Sequence, residues 1–320
     1  MAERSKRIVL YSAEKMEMVN NDTKTLLKRY EIDMKLRELS EKTIKSYISD
    51  LNQWLIYVLE NQGNKCILEL NEDDLTEFFY YCKSEGNNSR RIKRRMASVS
   101  ALYKFLRKKR LIVENPCEFI DRPKKDVEVN AQTFLNPEQV FLMKYRLKEY
   151  VASGKKYAKE LQLYALFSLS TMARVTAVSS IRWDQIDYAG RTCNDVLEKE
   201  GKIVTLYFSE EVKELLYILH MERKAAGVDD GGYVFGRNGK QIKTEVLTDW
   251  AHKIGRMIDV PTLHPHDFRH SGSQLLKLNG CPIEQISELL NHSGLDVTKK
   301  HYLKTDTKKM REYKDRYEVA

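Results

Sequence analysis

The chain has 320 residues, a formal net charge of +9 and a sequence pI of about 9.1. No apolar run approaches the roughly 20 residues that span a bilayer. The five cysteines (Cys66, Cys82, Cys117, Cys193 and Cys281) are scattered and form no C-x-x-C pair, which argues against a disulfide framework or a cysteine zinc site. A chain of this length suggests two domains. The basic balance favours a polyanion such as nucleic acid, or an anionic surface, as partner. The opening "MAERSKRIVLYSAEK" has an apolar stretch too short for a signal peptide, so a cytoplasmic protein is expected.

Residues 1–21 are polar and give no clear element. From 22 to 118 the pattern is helical. "DTKTLLKRYEIDMKLREL" opens on Asp22 as a possible cap. "SEKTIKSYISDLNQWLIYVLEN" has Ser40 as cap and Ile44, Ile48, Leu51, Trp54, Leu55 and Val58 on one face. "NEDDLTEFFYYCKSE" carries acids in its first turn, which suits the helix dipole. "NSRRIKRRMASVSALYKFLRKKR" is a fourth helix, and the short links predict a small bundle.

That fourth segment has no acidic residue. Arg90, Arg91, Lys93, Arg94 and Arg95 open it, and a second basic block runs from Lys104 to Arg110. A solvated surface usually mixes signs. A single-signed run beside an apolar stripe (Met96, Val99, Leu102, Tyr103, Leu106) is expected to pack on one side and face phosphates on the other. The tail is also basic, with Lys300 among its lysines, so nucleic acid held between two domains is the expected arrangement.

Residues 119–133, with Pro123, several charges and little periodicity, read as a linker. The second region, 134–320, starts with a helix capped at Asn136 with Pro137 in its first turn. "LSTMARVTAVSSIRWDQID" puts Arg174 on an otherwise apolar helix with no carboxylate one turn away. "IRWDQIDYAGRTCNDVLEKEGKIVTLYFS" reads as short strands with turns at Ala189-Gly190 and Glu200-Gly201. Helices "SEEVKELLYILHMERKAAG" and "TEVLTDWAHKIGRMI" follow, then a helix–turn–helix rhythm. The fold class is therefore mainly α: an N-terminal helical bundle, then a mixed α+β domain with a small antiparallel sheet.

Three of the seven histidines fall in "LHPHDFRHSG", as His264, His266 and His270 around Arg269. A metal site, a polar core cluster and a phosphate clamp compete there. His266 and His270 have zincin spacing, but that motif places a glutamate beside the first histidine. Here Asp267 stands there, and the Arg269 guanidinium lies within the same turn, which disfavours a dication. His270 has apolar neighbours (Phe268, Leu275, Leu276) and reads as a core-side residue. Further on, "SELLNHSGLDVTKKHYLKTD" holds His292 and then Tyr302 among lysines.

The ordered set of Arg174, a hairpin lysine, His266, Arg269, His292 and Tyr302 resembles the tyrosine recombinase (phage integrase) family. The first arginine of that family matches Arg174 in "TMARVTA", its H-x-x-R matches His266 and Arg269, its second histidine matches His292 in "LLNHSG", and its tyrosine matches Tyr302. The hairpin lysine is best matched by Lys199, with Lys202 the alternative. The resemblance implies a SAM-like core-binding domain over 22–118 and a catalytic domain over 134–320. It also implies strand cleavage and rejoining through a 3′-phosphotyrosyl bond, with no cofactor and no metal. The partners it implies are double-stranded DNA recombination sites and further copies of the chain in a tetramer on paired sites. A phage, prokaryotic or mobile-element origin follows from the same likeness. The pattern departs from the family in several places. Ala177 stands where the family has an acid three residues after the first arginine, so whatever that acid supports must come from elsewhere. Asn291 replaces a glycine, and the step from His292 to Tyr302 is one residue longer than the commonest spacing. A catalytically idle DNA-binding relative and a topoisomerase-like nicking-closing enzyme are the alternative readings.

Overall fold

The computed structural model describes residues 6, 8–124, 134–198 and 201–291. The chain divides into two compact units, Met1–Asn130 and Ala131–Ala320.

The N-terminal unit holds helices α1 (Ala13–Met18), α2 (Asn21–Leu36), α3 (Glu41–Asn61), α4 (Glu72–Ser84) and α5 (Ser89–Lys108). Each starts where a short polar side chain can take an orphan backbone N–H: Ser12, Asn20, Ser40, Asn71 and Asn88. At α4 the cap is reciprocal. Asn71 accepts from the amide of Asp74, whose carboxylate accepts from the amide of Asn71. The first turns correct the sequence reading in two respects. Residues 13–18 are helical, and the second helix is capped by Asn20, not Asp22; Asn20 Oδ1 accepts from the amides of both Asp22 and Thr23. The core gathers Tyr30, Met34, Leu51, Trp54, Phe78, Val99, Leu102 and Leu106, all buried at helical spacing. Tyr103 packs edge-on against Trp54 and donates its hydroxyl to the carbonyl of Ile67 at 2.9 Å, which satisfies its one buried polar atom.

The C-terminal unit contains α6 (Pro137–Ala152), α7 (Ala158–Thr171), α8 (Val175–Ser180), a sheet of β1 (Ile186–Asp187), β2 (Thr192–Leu197) and β3 (Ile203–Tyr207), α9 (Glu210–Ala225), a two-stranded ladder of β4 (Gly236–Arg237) and β5 (Lys240–Gln241), α10 (Thr244–Met257), α11 (Pro265–Leu278) and α12 (Ile283–Leu289). Past its first turn α7 is buried on nearly every side, with Leu161, Leu163, Tyr164, Leu166 and Phe167 all inside, and so it forms the centre of the unit. α6, α9 and α11 pack around it. The sheet is antiparallel in the order β1-β2-β3. Its register slips between Cys193 and Val196, where Asp195 is left-handed (φ 54°). The one-residue bulge inverts the side-chain phase of β2, so that Cys193 and then Val196 face the core. Among the described residues no helix is long and apolar enough to cross a membrane.

α11 lies against the end of α7 at a distance only glycine permits. A Cβ on Gly272 would stand 2.3 Å from the carbonyl oxygen of Leu169 and 2.6 Å from Cγ of Met172. Gly272→Ala is therefore expected to force the two helices apart. It should lower the unfolding free energy by about 3 kcal/mol, at the upper end of overpacking costs, in chemical unfolding of the full chain. A variant as stable as the parent would mean that this close approach is not kept in solution.

Candidate phosphate site

α7 ends at Thr171, and Met172 takes a left-handed conformation (φ 55°) that turns the chain out of the helix. Ala173 is buried, and Arg174 is the extended residue that begins α8. Arg174 therefore does not sit within an apolar helix, as its sequence context suggests. It stands at the break between two helices, where a long side chain can leave the core. Its side chain is 32% exposed and is paired with the carboxylate of Glu198, which is itself 1% exposed.

Glu198 follows β2 directly. Because the bulge has inverted the phase, Val196 faces in, Leu197 faces out and Glu198 faces in again. The same carboxylate lies 4.0 Å from Nη1 of Arg269, and its Oε1 accepts no hydrogen bond among the described residues.

Arg269 comes from α11. Pro265 occupies the first turn, where it lacks only an N–H that would be unused, and the Asp267 carboxylate accepts the amide of His264 at 2.7 Å. Burial raises the Asp267 carboxyl above its usual range, and the His264 amide pulls the other way. Phe268, Arg269 and Gly272 share the inward face. Arg269 is 2% exposed, and it spans two elements: Nη1 donates to the carbonyl of Met172 and Nη2 to that of Leu290, each at 2.6 Å. Met172 thus bonds Arg269 through its backbone, while its side chain packs with Ile286 and Leu290 of the α12 region. Lys202, at the foot of β3, donates to the carbonyl of Asn291 at 3.1 Å. Two cations therefore meet carbonyls at the C-terminal end of α12, where the helix dipole favours positive charge.

Of the histidines, His266 is exposed and His270 half-buried, their rings edge to face at 4.6 Å. His264 is exposed at the helix start. Among the described residues no group of three or more His, Cys, Asp or Glu side chains converges as a metal site would require. The described part of the site therefore unites Arg174, Arg269 and Glu198; Lys202 meets the end of α12 that Arg269 also holds, and His266 and His270 flank Arg269 along α11. Lys199, His292, Lys300 and Tyr302 lie outside the described residues.

In the N-terminal unit the basic run on α5 divides by face. Arg90 and Arg94 are exposed, and Arg91 and Lys93 partly so. Arg91 and Arg94 both pair with Asp50 of α3, a carboxylate with no exposed side chain, which also accepts the hydroxyl of Ser98. Arg95 corrects the sequence expectation. It is 1% exposed, donates Nε to Asn87 at 3.1 Å and lies over the ring of Phe78, so it faces the core and not a phosphate.

Compared with known proteins, residues 134–309 match the phage integrase family, and residues 27–110 match the phage integrase N-terminal SAM-like domain. The chain belongs to the phage integrase family. Membership makes it one of the tyrosine recombinases, DNA-binding proteins of site-specific recombination. It is 27% identical over 296 residues to tyrosine recombinase XerC of Anoxybacillus flavithermus, covering 88% of this chain and 93% of that one. It is 24% identical to tyrosine recombinase XerD of Oceanobacillus iheyensis, covering 82% and 87%. The fold is similar to the Tn1549 transposon integrase solved with a circular intermediate DNA (TM-score 0.67, 17% identity, 91% of this chain and 99% of that one). It is equally similar to a lambda integrase dimer bound to a core site (TM-score 0.67, 14% identity, 92% and 82%).

For this recombinase-family chain, two features escaped the sequence pattern. Glu198 is hidden because its partner Arg174 is 24 residues away and the bulge is invisible in the alternation. Arg95 could have been found: it falls three residues after Ile92 and four before Val99, inside the apolar stripe. Lys93→Ala is expected to weaken DNA binding and reduce the slope of log affinity against log salt by about 1, with little loss of stability. Arg95→Ala is expected to do the reverse, lowering stability by roughly 1–2 kcal/mol through lost packing and leaving the salt slope unchanged. Equal salt slopes for the two variants would contradict this division of the helix.

Proposed function

We propose that the protein is an active site-specific DNA recombinase that cuts and rejoins strands through a 3′-phosphotyrosyl bond on Tyr302. One observation carries the reading: Arg174, at the break between α7 and α8, and Arg269, on α11, converge on one buried carboxylate, an arrangement that gathers guanidinium donors at one point in the catalytic unit. A tyrosine hydroxyl has an unperturbed pKa of about 10 and needs assistance to attack a phosphodiester. Attack builds charge on the equatorial oxygens of a pentavalent phosphorane. Arginine donors placed there stabilise charge that grows in the transition state.

In this reading Arg174 and Arg269 hold those oxygens and His292 adds a hydrogen bond. His266 takes or relays the tyrosine proton. Lys199 protonates the leaving 5′-oxygen. The Lys202 contact to Asn291 favours Lys199 over Lys202 for that role. The Tyr302 Oη–P bond forms as the P–O5′ bond breaks. The covalent link conserves the phosphodiester, so a free 5′-hydroxyl from a partner strand can reverse the step without ATP or metal. Arg90, Arg91, Lys93 and Arg94, with Lys300 near the tyrosine, would hold the duplex, and a tetramer on paired double-stranded sites would exchange it.

Sites recovered by binding selection from random DNA provide the test. Two duplexes carrying them should yield exchanged product. Relaxation of supercoils without exchange would indicate the nicking-closing alternative, and binding without any cleavage the idle relative.

A further inference from the structure

We propose that Glu198 is a positioning residue of the phosphate site: its carboxylate fixes the guanidinium of Arg174 beside Arg269 and supplies the counter-charge that lets the two arginines share one site. The role rests on the recombinase reading above and adds to it a residue outside the set that the family resemblance brings.

Four observations support it. First, the Glu198 side chain is 1% exposed, and burying a carboxylate is costly unless it is paired. Its partners are the two arginines assigned to the scissile phosphate. Second, the pair has an inside and an outside. Glu198 is buried while the Arg174 side chain is 32% exposed, so the carboxylate holds the arginine from the core side and part of that side chain is open to solvent, the side from which a DNA phosphate would arrive. Third, among the described residues no nearer carboxylate pairs with Arg174. α8 runs Val-Thr-Ala-Val-Ser-Ser, without a carboxylate, and Ala177, one turn from Arg174, is wholly buried. Glu198 is the one hydrogen-bonding partner of the Arg174 side chain among the described residues. Fourth, the backbone is shaped for it: the bulge at Asp195 turns Glu198 inward, whereas an unbroken alternation from Cys193 would have turned it out.

The electrostatics follow. Two guanidiniums and one carboxylate leave a single net positive charge, which matches the single negative charge of a phosphodiester. Without the carboxylate the arginines repel, and Arg174, long and half-exposed, loses the contact that holds its rotamer. A misplacement of about 1 Å at such a group can cost on the order of a hundredfold in rate. Ground-state DNA binding, spread over many phosphates, should hardly change.

The test compares wild type, Glu198→Gln and Glu198→Asp on nicked duplexes that trap the covalent adduct, with non-covalent DNA affinity and thermal unfolding measured alongside. Gln keeps the shape and loses the charge; Asp keeps the charge and shortens the arm. The expected result is a fall of about a hundredfold in adduct formation for Gln, a smaller fall for Asp, and an affinity within about threefold of wild type for both. The same ranking with Gln unfolded and Asp folded and cleaving also supports the charge role. Gln cleaving as well as wild type, or better than Asp, overturns it, because shape alone would then suffice. Failure of both variants to fold also overturns it in favour of a structural role. A wild-type protein that forms no adduct removes the recombinase reading and this role together. A cleaving wild type with an equally active Gln variant removes this role alone.

Discussion

Arg269→Ala is expected to abolish detectable strand cleavage and also to destabilise the C-terminal unit, by about 3 kcal/mol. The double effect follows from its surroundings. Arg269 is 2% exposed, and its fork serves the carbonyls of Met172 and Leu290 while facing Glu198. Truncation leaves two buried carbonyls short of a donor and removes the counter-charge 4.0 Å from the Glu198 carboxylate. It also releases the turn after α7 from the end of α12, and that turn carries Arg174. The catalytic loss should be at least about a thousandfold, since one donor to a developing anion is worth two to three orders of magnitude and here a second arginine is displaced with it. Arg269→Lys keeps a charge but cannot reach two carbonyls as a planar fork does. It should recover part of the stability and little of the cleavage. Urea unfolding and adduct formation on the same preparations check both parts. An Arg269→Ala protein as stable as its parent would show that the fork does not join these elements.

Much of this was legible from residues alone. Helix starts were marked by Ser40, Asn136 and Pro137 because capping is a local matter, settled within three residues. The hairpin turns declared themselves through Gly190 and Gly201. Phe268 marked the buried face of its helix, but the sequence reading set His270 on that side, whereas Arg269 is the buried neighbour and His270 only half-buried. What remained hidden was decided by tertiary packing. A single bulge inverted β2, and Glu198 became the buried partner that the Arg174 context lacked. Met172 broke the helix without a glycine or proline, in a left-handed conformation held by Arg269 on its carbonyl and α12 on its side chain. Arg95 looked like one more cation in a basic run, although its position in the apolar stripe already pointed inward.

If Tyr302 attacks the phosphodiester, Tyr302→Phe has the largest effect of all: loss of the hydroxyl removes the nucleophile and leaves every phosphate contact in place. DNA affinity should stay at the parental level while covalent product vanishes, which separates chemistry from binding. The most direct measurement incubates the wild-type protein with nicked duplexes bearing its selected sites, digests the trapped adduct with protease and locates the DNA-bearing peptide by mass spectrometry. The DNA is expected on Tyr302 through a 3′-phosphate, with no adduct from Tyr302→Phe. An adduct on another residue, or one that survives in Tyr302→Phe, would contradict the mechanism.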